Sequence, residues 1–133
     1  MSPSFSETLR QEAEARERSM MQERITAEFD GAERELAKIG LELNSLKRTD
    51  KQLLDAIEAV NQLPRELQSR FGDRDTALLG QAGATDDARA MSLAILSGAR
   101  KVLDIRRGKL EANQASEKAR RDRAAKALSE FEQ

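Results

Sequence analysis

The 133 residues carry 23 basic and 24 acidic side chains, a net charge of −1, and no Cys, His, Tyr or Trp. That inventory excludes disulfides, thiolate or imidazole metal sites and His- or Cys-centred catalysis, leaving only carboxylates and Lys for acid–base work. With 35% charged residues and only four Phe, it predicts long helices joined along narrow Leu, Ile, Val and Ala seams, not a compact aromatic core.

Residues 1–24 are expected to form a charged helical overhang. Ser6 with Glu7 is read as its opening, and Arg10 through Arg18 is suited to charge pairs four residues apart. Phe5, Leu9, Ala13, Met20 and Met21 do not share the register that follows. The start, MSPSFSETLRQ, has neither a basic n-region nor an apolar h-region, so it is not read as a secretory signal.

From Ile25 onward an apolar series alternates spacings of four and three: Ile25, Phe29, Ala32, Leu36, Ile39, Leu43, Leu46, Asp50, Leu53, Ile57, Val60, Pro64, Leu67 and Phe71. A mean period of 3.5 over six heptads predicts a helix wound against another helix. Asp50 and Pro64 are the two interruptions. Pro64 removes a backbone hydrogen bond and crowds the preceding turn, which predicts a kink near Val60–Leu63. Gly72 follows Phe71 as a C-terminal cap, and Gly72, Gly80 and Gly83 with Asp73 and Asp75 predict a connection over 72–85, with one helical turn at most at Thr76–Leu79. Thr85 before Asp86 and Asp87 makes an N-cap for a second helix over about 86–131.

Two helices of roughly 46 residues, about 70 Å each, joined by one connection, are expected to fold back as a long antiparallel hairpin over residues 25–133, an all-α coiled coil. A turn centred near Leu79 would set Phe29 against Phe131 and Leu128, and Leu53 against Ile105. It would also set Ile39, Leu43 and Leu46 against Ala119, Ala115 and Ala112, large residues facing small ones. Asp50 would meet Lys109 or Arg107 as a register-fixing ion pair. Charge agrees with folding back, since residues 1–46 hold ten acidic and six basic side chains and residues 100–126 ten basic and four acidic ones.

The second helix has more apolar surface than one seam needs. Met91, Ile95, Val102 and Ile105 form one face, and Leu93, Leu96 and Leu103 another. Leu54 and Leu63 likewise flank the first helix's seam. The expectation is that Leu54, Leu63, Leu93, Leu96 and Leu103 form a partner interface, making the chain a homo-oligomer or a subunit of a larger assembly.

Candidate chemistry is thin. Asp86 with Asp87, and Asp73 with Asp75, read as helix capping and loop solvation. Asp73-Arg74-Asp75-Thr76-Ala77 lacks the ligands and glycine of a calcium loop, and Gly80 and Gly83 make no nucleotide fingerprint. The basic run includes Arg106, Arg107, Arg120, Arg121 and Arg123 as candidate phosphate contacts. The net charge, the missing aromatics and the acidic helix alongside favour an internally paired face. No cofactor, small-molecule substrate or membrane span is expected, because the longest apolar stretch, Met91–Leu96, is far too short to cross a bilayer.

The expectation is thus a non-enzymatic, cytoplasmic structural or assembly protein. Phage virion or scaffold components and the coiled-coil stalks of secretion ATPases are built on such plans, a likeness of architecture alone. The alternatives are a small regulatory binder (adaptor, chaperone or inhibitor) presenting a helical face to an enzyme, and a nucleic-acid-associated protein using the basic helix.

Overall fold

The computed structural model describes the backbone of residues 4–81 and 84–132, with the side chains of residues 68, 71, 75–81, 84 and 85 outside the description. Every described residue except Ser4 and Gly72 has a helical backbone. Helix α1 runs Phe5–Gln81 and α2 runs Ala84–Glu132, and these two long helices pack against each other as an all-α hairpin.

Helix α1 opens earlier than Ser6. The Glu7 amide donates to Ser4 Oγ at 3.3 Å and the Thr8 amide to the Ser4 carbonyl at 3.0 Å. Ser4 is therefore the N-cap, and Ser4-Phe5-Ser6-Glu7 carries the sequence pattern of a capping box. Residues 5–24 are helical and exposed throughout.

The non-helical residue inside α1 is Gly72, with φ 78° and ψ 171°, whereas Pro64 stands inside the helix. This backbone region is open essentially to glycine alone. Residues 73–81 are helical again, so the connection expected over 72–85 is mostly helix. Thr85, expected as an N-cap, has its side chain outside the described residues, as does Phe71 at the end of the apolar series.

The chain divides into two compact units. The first comprises Met1–Gly40 and Glu111–Gln133. Its buried apolar residues are Ala32, Ile39 and Ala124, with Ile25, Phe29, Leu36, Leu128 and Phe131 half-buried. Arg120 Nε reaches Glu28 Oε1 at 3.3 Å, and Arg121 Nη1 reaches Glu33 Oε1 at 3.5 Å. These pairs correct the expected register. Residues 28–33 lie beside 120–121, which leaves Phe131 roughly ten residues beyond the stretch opposite Phe29, or about 15 Å along the helix. Ala112, Ala115 and Ala119 are exposed.

The second unit is Leu41–Leu110. Leu43, Leu46, Asp50, Leu53, Ile57, Val60 and Leu67 of α1 are half-buried, while Pro64 is exposed. Arg100 Nε donates to Asp50 Oδ1 at 2.9 Å, and Arg106 Nη2 to Glu42 Oε2 at 2.8 Å. The paired residue numbers add to 150 and 148, below the roughly 158 that a turn centred on Leu79 would give with one register throughout. Gly72, the non-helical residue of α1, lies seven residues before Leu79.

Candidate functional site

The α2 positions 89, 93, 96, 100, 103, 107, 110, 114, 117, 121, 124, 128 and 131 repeat at alternating spacings of four and three. All but Arg107 are half-buried or buried. Within Leu41–Leu110, the covered face of α2 is therefore Arg89, Leu93, Leu96, Arg100, Leu103 and Leu110. Leu93, Leu96 and Leu103, expected at a partner interface, share the face whose Arg100 binds Asp50 of α1, and they are half-buried there. The other apolar face of α2 is open: Met91 is 68%, Ile95 65%, Val102 65% and Ile105 62% exposed. Ile105, expected opposite Leu53, is on that open face. Of the remaining expected interface residues, Leu54 is 44% exposed and Leu63 is half-buried.

The two faces of α2 differ in their polar positions. Asp50 is a charge inside the apolar series of α1, and its carboxylate needs a cation when desolvated. The Leu93, Leu96 and Leu103 face supplies Arg100 at the right height, whose guanidinium makes a two-point contact, Nε to Oδ1 at 2.9 Å and Nη2 to Oδ2 at 3.4 Å. The corresponding place on the other face is Gly98, which offers nothing. Hydrogen bonding from Arg100 holds the Asp50 carboxyl below its ordinary value, against a smaller opposing effect of desolvation and with help from the charges of Arg100 and Arg107. The same bond raises Arg100.

The expected partners of Asp50 are thus corrected. Arg107 pairs with Asp104 on its own helix, and its charge helps to lower Asp50. Lys109 is exposed, nine residues past Arg100 along α2, or about 14 Å.

The candidate phosphate contacts are largely engaged. Arg106 pairs with Glu42, Arg120 with Glu28 and Glu117, and Arg121 with Glu33 and Asp122. Arg123 is exposed. Gly31 has a local role beside these pairs, because a Cβ built on it would come within 3.3 Å of Arg120 Nη2. Among the described residues no group of three His, Cys, Asp or Glu side chains is placed to hold a metal ion. No helix among them is long and apolar enough to cross a membrane.

The site that remains is a surface. It is a strip of four large apolar side chains on α2, opposite the face that meets α1, with Gly98 at its middle. No protein-family model, curated protein or solved structure matches the chain.

Proposed function

We propose that this chain is a non-enzymatic structural or assembly protein, a coiled-coil hairpin that docks through its second helix to copies of itself or into a larger particle of the virion or secretion-assembly kind. The observation that carries the reading is the open strip of Met91, Ile95, Val102 and Ile105, each more than half exposed on a helix whose opposite face is already occupied. Large apolar side chains aligned at helical spacing on one surface mark a site for another helix. The ion pairs support the same reading, since Arg100, Arg106, Arg120 and Arg121 each bind a carboxylate on α1 and so offer less free charge to a polyanion.

The test is recovery of the full chain from its native source, followed by native mass spectrometry, beside an Ile95→Asp plus Val102→Asp variant. An assembly of fixed stoichiometry that the variant fails to enter is the expected result. A soluble one-to-one complex with an enzyme would favour the regulatory reading. Nucleic-acid binding that falls steeply with salt and is unaffected by the variant would favour the third. Either outcome overturns the proposal.

A further inference from the structure

Resting on that reading, we infer that the occupant of the open strip is a second copy of this chain, its α2 running antiparallel to the first and crossing it at Gly98. The strip reads Met91, Ile95, Gly98, Val102, Ile105, at spacings of four, three, four and three. That is the heptad pattern of a helix–helix seam, and it lies on the side of α2 away from Leu93, Leu96, Arg100 and Leu103. The strip is nearly symmetric about its centre. Met91 and Ile105 lie seven residues before and after Gly98, and Ile95 and Val102 lie three before and four after. A two-fold axis at Gly98 sets Met91 of one copy beside Ile105 of the other, and Ile95 beside Val102.

Charge decides the direction. Asp87 and Lys109 stand eleven residues to either side of Gly98, and eleven residues is close to three full helical turns. Both therefore share the strip's face, one at each end. Both are exposed, and neither makes an ion pair among the described residues. An antiparallel pair sets Asp87 of each copy against Lys109 of the other, giving two opposite-charge contacts. A parallel pair in register would set Asp87 against Asp87 and Lys109 against Lys109. The end charges thus favour one orientation and penalise the other, as flanking charges do in coiled coils.

Gly98 is explained by the same arrangement. A Cβ built there meets nothing within 4 Å, so packing inside the chain gives no reason for a glycine that weakens the helix. A second helix crossing closely at that point does. From Asp87 to Lys109 the contact runs about 33 Å along the helix.

Because the chain has no Cys, single cysteine variants report orientation cleanly. Met91→Cys and Ile105→Cys, each at an exposed position, are mixed at about 100 µM, where even a weak dimer is populated, and mildly oxidised. Antiparallel pairing predicts that the disulfide-linked product is chiefly the mixed species; like-with-like products predominating would overturn the orientation. By sedimentation, Asp87→Lys alone and Lys109→Asp alone should each weaken the dimer roughly threefold to tenfold, and the double reversal should restore it. Failure of the double variant to recover would contradict the charge pairing. Gly98→Leu should weaken association more than tenfold while helicity by circular dichroism is kept. A chain that stays monomeric at about 100 µM overturns this inference. If Ile95→Asp plus Val102→Asp still abolishes entry into a larger assembly, the proposed function survives that result; if it does not, both fall.

Discussion

The two apolar faces of α2 between residues 89 and 110 are nearly equal in hydrophobic content and opposite in fate. One carries Leu93, Leu96 and Leu103 around Arg100 and is covered; the other carries Met91, Ile95, Val102 and Ile105 around Gly98 and is open. Apolar content therefore does not select the face that packs. The two faces differ in the residue at the middle of each: Arg100 of the first binds Asp50 of α1, and Gly98 of the second carries no side chain. The charged position that interrupts the seam of α1 is thus held by an ion pair from α2. Isolated pairs at this exposure add little stability, so we propose that Asp50 and Arg100 serve choice of register and partner face, as single polar positions do in coiled coils.

The largest way to break this comparison is to put the same charge on each face. Leu103→Asp should lower unfolding stability by about 2–4 kcal/mol, since it desolvates a carboxylate in the seam without a partner. Ile95→Asp should leave the thermal midpoint of the monomer nearly unchanged. Chemical denaturation of both variants checks it, and equal losses would mean that both faces are covered.

Next in size is Gly72→Ala. With φ at 78°, an alanine there is strained even though its Cβ has room, and the cost should be about 1–3 kcal/mol. Loss of the turn would also free the register that decides which α2 face is covered, so exposure of Leu96 to hydrogen–deuterium exchange should rise with it.

A smaller effect comes from pH. The hydrogen bond from Arg100 keeps the folded-state pKa of Asp50 below its unfolded value, so the pair stabilises the fold fully above about pH 4, the unfolded carboxylate range. That contribution is lost as pH falls through the lower folded value. Asp50→Asn should flatten this part of the stability–pH curve, and an unchanged slope would remove the pair from the account.

The finest distinction is between two glycines of α1. Gly40→Ala meets nothing within 4 Å and should raise stability by up to about 1 kcal/mol through helix propensity. Gly31→Ala should gain less, because its Cβ presses on Arg120 Nη2 at 3.3 Å. Thermal midpoints of the two variants give the comparison directly.

Much of α1 was legible in the sequence. Its series from Ile25 to Leu67 is the face that loses exposure, because apolar residues there recur with only Asp50 and Pro64 intervening. The seam of α2 was not, since Arg100, Arg107, Gln114, Glu117 and Arg121 occupy positions in its heptads and hide the period from a search for apolar residues. The clue was present in Asp50: whichever α2 face carried an arginine amid leucines was the one to choose. Pro64 stands within α1, in keeping with the apolar series continuing in phase past it. The non-helical residue is Gly72, where a positive φ favours glycine. The N-terminus turns on local chemistry too: Ser4, two residues ahead of Ser6, caps the helix and stands at capping-box spacing from Glu7.

The register of the hairpin is tested most directly by crosslinking within one chain. Two double variants share Leu53→Cys, one adding Leu96→Cys and the other Ile105→Cys, and both are treated with a short thiol-reactive crosslinker at high dilution; Asp50 and Arg100 stay intact. The register set out above gives a fast intrachain crosslink in the first and little in the second, whose sites are offset by about 14 Å along the helix. Efficient closure in the Ile105 variant with none in the Leu96 variant would contradict it.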